Sequence, residues 1–400
     1  MQALPGFRDF YPEDCAFREG IVATWCEVSR RYGFVRYDAP PLEPLELYTQ
    51  KSGGEIVGQL YHFVDKGGRA VALRPEMTPS LTRMVAARYR DYRKPMKWFS
   101  VPQVFRYERM QRGRLREHFQ WNCDIIGEAG LQAEVELIAL VIDGLRAFGL
   151  GEDDFVVRLS DRVFWADFLR KRNVPEERWY EVFQAIDKCE REPREKTSER
   201  LGVLADEVMR VINEGAASER LDEVEAGLAR RGLGGYVRRD FRIVRGLAYY
   251  TGVVFEVFDR GGAFRAIAGG GRYDELFAKQ GNESVPAVGF GMGDVVLGEI
   301  LRLKGWKADR RMGVDVFIFV EDEKFRADAD RWTQALRENG LCVDVALKAS
   351  KISRQYELAE ERGARWGVMF DQQGVLLKNL VSRELRRVNE VGEVLALVRL

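Results

Sequence analysis

Arg106, Arg109, Arg112, Arg114 and Arg116 place five arginines within eleven residues. A guanidinium stays charged and meets phosphate oxygens with a planar fork, so such a run can clamp a polyanion. The same run could be the solvated face of a charged hairpin. Arg106 follows Phe105 in an apolar segment, where an unpaired charge would be costly. Arg245 also lies among apolar residues, with Tyr249 and Tyr250 just beyond it. A buried arginine calls for an anion, and a tyrosine hydroxyl can orient a polar ring. An edge strand with stacked Tyr and Arg is the plainer alternative.

Glu76 and Thr78 follow the strand-like Ala70–Leu73 and the pair Arg74-Pro75. A carboxylate at such a sheet edge could bind an amine. The stretch is more simply a helix start, with Thr78 as cap and Pro79 at the first position. Two glycine patterns complete the inventory. Gly269-Gly270-Gly271 offers close backbone approach but is neither GxGxxG nor a P-loop. Gly289, Gly291 and Gly293 alternate with large apolar residues, which lets a strand lie against something flat.

The positioning elements follow from periodicity. Phe17 to Arg31 has helical spacing and closes on Tyr32-Gly33, with two arginines in the last turn. Phe34 to Tyr37, Ile56 to Phe63 and Ala70 to Leu73 read as short strands, and Ser80 to Arg88 as a helix. Trp98 to Tyr107 and Phe119 to Ile126 predict a hairpin whose tip carries the arginines. Leu131 to Phe148 predicts an amphipathic helix. Phe155 to Leu159 reads as a strand. The charge-rich stretch from Arg162 to about Arg231 is helical and has the character of an insertion. Phe241 to Ala248, Val253 to Phe258 and Val288 to Gly293 restore strand character. After a polar stretch near Lys304 to Met312, strands and helices alternate, which implies a small α/β domain with parallel strand pairs.

The chain has 400 residues, with 63 Lys+Arg against 63 Asp+Glu, so any nucleic-acid contact must come from a local basic patch. With 46% hydrophobic residues it can build a full core and is not a disordered chain. Its 5 cysteines are scattered and its 2 histidines are too few for a histidine-based metal site, so neither a disulfide framework nor a zinc site is expected. No apolar run is long enough to span a membrane, and the N-terminus lacks the pattern of a signal peptide. A cytoplasmic protein with reduced thiols is the expectation.

Taken in order, these segments resemble histidyl-tRNA synthetases, a family of class II aminoacyl-tRNA synthetases. Gly6 to Pro12 is similar to the family's opening GxRDFxP. Tyr32 to Glu43 resembles motif 1, which implies a homodimer. Phe105 to Gln120 resembles motif 2, Arg245 to Gly252 the RGLDYYTG signature, and Gly270 to Asp274 the GGRYD sequence.

The resemblance implies an α+β catalytic domain on an antiparallel sheet, in two parts, 1–161 and 232–304. Between them, 162–231 would be the helical insertion, and 313–400 an anticodon-binding domain. It implies activation of L-histidine with ATP and Mg2+ and transfer to tRNA(His). Arg106 and Arg245 would hold the α-phosphate and the histidine carboxylate. Glu76, Thr78 and Gln120 would bind the α-amino group. Asp124 and Tyr250 would read the imidazole, and Tyr249 would line that pocket. Arg106, Glu108, Arg114, Arg245 and Gly293 would contact ATP.

Three positions depart from the pattern. Asp124 stands where the family usually has Glu, and Ala248 where the signature has Asp. Val296 stands where motif 3 ends in an arginine that clamps the ATP γ-phosphate. Arg114, Arg116 and Lys279 are candidates to supply the missing charge. The Val296 change is what a competing reading rests on: a synthetase-like regulatory subunit of ATP phosphoribosyltransferase. The retained Arg106 and Arg245, and a C-terminal segment of anticodon-binding type, argue for the ligase.

Overall fold

One strand, Glu117–Ile126, organises the first unit, because its side chains alternate between two environments. Trp121, Cys123 and Ile125 enter the main hydrophobic core. Gln120, Asn122 and Asp124 point to the opposite face, where they line a cavity. The computed structural model describes residues 2–49, 58–111, 113–245, 249–278, 284–308 and 313–398. The chain divides into two units, Met1–Ala308 and Asp309–Leu400.

In chain order, the strands of the first unit begin with β1 (Val35–Arg36), β2 (Leu42–Pro44), β3 (His62–Val64) and β4 (Ala70–Leu73). Next come β5 (Met96–Ser100), β6 (Gln103–Phe105), β7 (Glu117–Ile126) and β8 (Phe155–Asp161). The last four are β9 (Val237–Arg239), β10 (Val253–Asp259), β11 (Ala268–Arg272) and β12 (Ala287–Gly293). The described residues form a 9-stranded sheet in the order β1-β5-β7-β12-β11-β10-β8-β9, with β6 added to β7. Pairings in the centre are antiparallel, while β1 with β5 and β8 with β9 are parallel. Strands β2, β4 and β3 make a separate 3-stranded sheet.

The α+β expectation holds, and so does the hairpin through the arginine-rich tip. Its first arm is two strands rather than one, because Val101-Pro102 interrupts it between β5 and β6. The expected strand over Phe241 to Ala248 is not formed in its described part. Phe241 to Arg245 is turn and loop, and Arg245 has a left-handed φ of 58° that no strand accommodates. Residues 246–248, with Ala248, lie outside the described residues, as do Ile56, Arg112 and Lys279.

Helices Pro12–Arg31 and Gln132–Arg146 cover the core face of the sheet. The first starts with Pro12 at its first position, acidic residues in the first turn and Arg30 and Arg31 in the last, and Gly33 with φ 76° ends it. Trp25 stacks on Trp121 at 5.9 Å, and the Trp121 indole N–H donates to Ser29 Oγ at 2.9 Å. Gly144 lets the second helix close on that indole: a Cβ there would stand 2.5 Å from the ring. From Arg162 to Arg230 the chain is helical in pieces, Arg162–Arg170, Glu176–Lys188, Arg194–Leu201, Ala205–Glu214 and Glu219–Arg230.

Arg272, in the GGRYD stretch, ties the sheet to helix Gln132–Arg146. Its guanidinium donates to both carboxylate oxygens of Glu134 at 2.6 Å, and both side chains are almost fully buried. Removing one partner strands the other charge in the interior. Arg272→Met should therefore lower the unfolding free energy by about 3–5 kcal/mol, read as a shift of the urea midpoint.

The second unit contains β13 (Val316–Ile318), β14 (Val343–Val345), β15 (Trp366–Asp371), β16 (Gly374–Asn379) and β17 (Leu385–Val388). Their order is β14-β13-β15-β16-β17. The first three are parallel, as strand–helix alternation predicts. An antiparallel hairpin, β16 and β17, extends the sheet beyond that expectation.

Candidate functional site

Glu76, Thr78, Arg106, Gln120, Asp124, Arg245, Tyr249 and Tyr250 all line one polar cavity of about 70 Å³ on the open face of the sheet. They come from four separate stretches of sequence. Strand β7 supplies Gln120 and Asp124. Arg106 leaves the end of β6, where its Nε donates to the Pro75 carbonyl at 2.9 Å. Helix Thr78–Arg88 supplies Thr78 at its first position, with Pro79 next. Met77 is the capping residue, so the Thr78 hydroxyl does not serve as the helix cap. Glu76 is buried just before it, and the Tyr249 hydroxyl donates a 3.4 Å hydrogen bond to Glu76 Oε2. Burial, then the Glu76 charge, holds the Tyr249 phenol well above its ordinary pKa.

The alternating glycines explain how side chains from one strand can floor this cavity. In the β7–β12 register Gly289 faces Asp124, Gly291 faces Asn122 and Gly293 faces Gln120. A Cβ on Gly289 would sit 1.9 Å from Asp124 Oδ1, and one on Gly291 would sit 2.9 Å from the Gln120 amide. Gly269 does the same for Arg245, whose Nη1 would be 2.0 Å from an added Cβ. The flat object these glycines admit is therefore the polar side chains of the protein itself. Asn122 and Tyr273 belong to the cavity too. The period-two alternation along β7 could have revealed Asn122. Nothing local reveals Tyr273.

Asp124 Oδ1 accepts a 2.5 Å hydrogen bond from the Tyr273 hydroxyl. Burial pushes the Asp124 carboxyl up to about 7, although the Tyr273 bond works against this. Its folded value exceeds the ordinary 3.8, so between the two the folded chain holds a proton that the unfolded chain has released. The stability contributed by this group is full below the lower value and is lost as pH rises through the upper one. Asp124→Asn removes the effect. Its thermal midpoint should rise above the parent's progressively from about pH 4 to about pH 7, and parallel curves would contradict the assignment.

Arg245 joins this cavity to a larger cleft of about 870 Å³, which also shares Arg106, Gln120 and Tyr249. Its Nη1 donates to Glu256 Oε1 at 2.7 Å, and its guanidinium carbon lies 5.5 Å from the centre of the Tyr250 ring. Burial alone would lower its pKa, but Tyr250 and Glu256 reverse this and keep it above the ordinary value. Its buried Nε finds no partner among the described residues.

Glu108, Arg114 and Gly293 line the larger cleft, and Arg114 Nε pairs with Glu108 Oε2 at 2.5 Å. Val296 lines it as well. Arg116 does not: it lies 4.1 Å over the Tyr107 ring and bonds the Glu108 and Pro5 carbonyls. His118, to which the sequence assigns no role, lines the cleft opposite Gly293. Burial, with the charges of Arg106, Arg8 and Arg114, lowers its pKa to about 3, so it is neutral at physiological pH. The cleft thus has a positive field and suits a multiply charged anion. The adjoining cavity suits a small zwitterion with a polar ring.

Known proteins of the same architecture bear on these two pockets. The family model described as histidyl-tRNA synthetase matches residues 6–293, and an anticodon binding domain matches 314–394. A histidine–tRNA ligase of Opitutus terrae is 42% identical over 429 aligned positions, covering 100% of this chain and 98% of the relative. The chloroplastic/mitochondrial histidine–tRNA ligase of Arabidopsis thaliana is 38% identical, covering 90% and 78%. A crystal structure of histidyl-tRNA synthetase from Nostoc sp. PCC 7120 superposes with a TM-score of 0.81 at 22% identity, covering 100% of this chain and 98% of that one. The chain belongs to the histidyl-tRNA synthetase family.

Proposed function

We propose that this chain is a histidine–tRNA ligase: it activates histidine with ATP and passes it to the 3′ end of tRNA(His). The observation that carries the reading is the junction at Arg245, where a small polar cavity opens into an arginine-lined cleft. A histidine carboxylate oxygen attacks the α-phosphorus of ATP there, and pyrophosphate leaves. The ribose 3′-hydroxyl of the terminal tRNA adenosine then attacks the acyl carbon, and AMP leaves. Neither step needs an enzyme nucleophile, so positioning and fixed charge carry the catalysis.

Arg106 and Arg245 hold the carboxylate and the α-phosphate together. Glu76, Thr78 and Gln120 receive the α-ammonium group. Asp124 accepts an imidazole N–H while Tyr273 holds its carboxylate, and Tyr250 closes the ring's other side. Tyr249 orients Glu76. A pocket of this kind rejects apolar amino acids, because its buried polar groups would go unpaired. Glu108, Arg114 and Gly293 face the nucleotide. Mg2+ neutralises phosphate charge when it enters with ATP. Glu108, one of the carboxylates lining the cleft, would face it.

Residues 1–161 and 232–304 form the catalytic domain in this reading, 162–231 an insertion toward the acceptor stem, and 313–400 the anticodon-binding domain. The working compartment is the cytoplasm, and no described helix is long and apolar enough to cross a membrane. The assembly is a homodimer through the stretch resembling motif 1, Tyr32 to Glu43, which exposes Val35 and Leu42. A sedimentation mass of twice the chain is expected, and a monomer would refute this part. Val296 is the feature that favours a regulatory subunit instead. Charging of a tRNA(His) transcript with labelled histidine separates the two: ligase activity gives acid-precipitable label, and a regulatory subunit gives none.

A further inference from the structure

We propose that Arg265 supplies the cation for the terminal phosphates of bound ATP, at the end of the cleft where Val296 brings no charge. The proposal rests on the reading of the cleft as an ATP site. Its first support is register. Ala268 of β11 pairs with Met292 of β12, and β12 ends at Gly293, where helix Asp294–Leu303 begins. The strands are antiparallel, so the residues just before Ala268 run past the first turn of that helix. Arg265 and Val296 accordingly line the same cleft.

The second support is the pattern of partners. Arg114 pairs with Glu108, Arg245 with Glu256, and Arg158 with Asp240 and Glu190. Arg265 pairs with no carboxylate among the described residues. Its Nη2 donates at 2.7 Å to Gln111 Oε1, a neutral acceptor in the arginine-rich loop. That bond aims a full positive charge at the cleft without cancelling it. Arg106 and Arg191 lack an ion pair among them too, but Arg106 Nε is committed to the Pro75 carbonyl, and Arg191 lies near Asp187, whose carboxyl burial and the Glu256 charge raise while Arg191 opposes them.

The third support is the field. Burial lowers the pKa of the Arg114 guanidinium, and Arg265, Arg106 and Arg191 lower it further. Like charges crowded in this way repel one another, and a bound polyanion relieves the repulsion. Gln111 and Arg114 lie on the loop resembling motif 2, so Arg265 would link that loop to the phosphates. Arg265 is exposed on the connection between β10 and β11, and its replacement leaves the core intact.

The test is histidine-dependent ATP–pyrophosphate exchange with Arg265→Ala, Arg265→Gln and Arg265→Lys. Alanine should raise the KM for ATP by at least about tenfold, the low end for a charge-assisted hydrogen bond, with the KM for histidine unchanged. Glutamine can still bond Gln111 but carries no charge, so it should behave as alanine does. Lysine should keep much of the ATP affinity. An unchanged KM for ATP in the alanine or glutamine variant, beside an active parent, would overturn the role of Arg265 alone. A parent with no exchange would remove the ATP reading and the proposal with it.

Discussion

Arg245→Ala should lower histidine-dependent pyrophosphate exchange by about 10²–10³-fold, the range for loss of one fixed donor to a developing charge. The guanidinium lies flat over Gly269 at the mouth of both pockets, anchored by Glu256 at one nitrogen. Its backbone φ of 58° is in the left-handed region, which costs energy for a side-chain-bearing residue. The surrounding fold holds it there, and the result is a charged fork between two ligands. Alanine also leaves Glu256 without its partner, so a folding control is needed. Arg245→Lys keeps a charge for Glu256 but loses the fork. It should match the parent in thermal midpoint while remaining strongly impaired in exchange. Lysine activity near that of the parent would show that Arg245 acts only as a structural counter-ion.

Gly289→Ala should raise the KM for histidine by about 10–100-fold, the loss expected when one hydrogen bond to a charged group is broken. The added methyl would meet Asp124 Oδ1, so the carboxylate has to leave its place beside Tyr273. The imidazole then loses its acceptor. The KM for ATP should not change, because Gly289 and Asp124 line the small cavity and not the larger cleft. A parallel rise in both constants would point to general distortion of the sheet. Alanine is otherwise a mild change within a strand, and glycine itself is the weaker strand former.

Part of this site was legible in the sequence from local signals, while Gln120 and Asp124 entered only through the family resemblance. Arg106, Arg245 and the Tyr249-Tyr250 pair stand out because charged or polar groups interrupt apolar stretches. The hairpin around the arginine-rich loop follows from two apolar runs with a polar tip. What was not legible depends on register between distant segments. Gly289 and Asp124 are far apart in the chain, and only their pairing across β7 and β12 shows that one makes room for the other. Tyr273 looks like part of a glycine-rich turn until it is found donating to Asp124. Arg272, three residues from the cavity-lining Gly269, holds a helix through Glu134. Arg116 shares a run with Arg114, yet the chain turns it onto Tyr107 and away from the cleft.

The segment from Phe241 to Arg245 teaches the same lesson. Its apolar spacing suggests a strand, but the site needs Arg245 turned back over Gly269, and tertiary packing overrides the local preference. The C-terminal hairpin of β16 and β17 escapes a reading based on strand–helix alternation, because it joins an otherwise parallel sheet at its edge.

The most direct test of the account is ATP–pyrophosphate exchange by the purified chain with Mg2+, comparing histidine with the other amino acids. Exchange with histidine alone is the predicted result, because the buried groups around Asp124 and Glu76 leave apolar or differently shaped side chains unpaired. No exchange with any amino acid, while histidine still binds, would contradict the central claim. The cavity would then be a sensor for histidine, and the synthetase-like regulatory subunit would become the better reading.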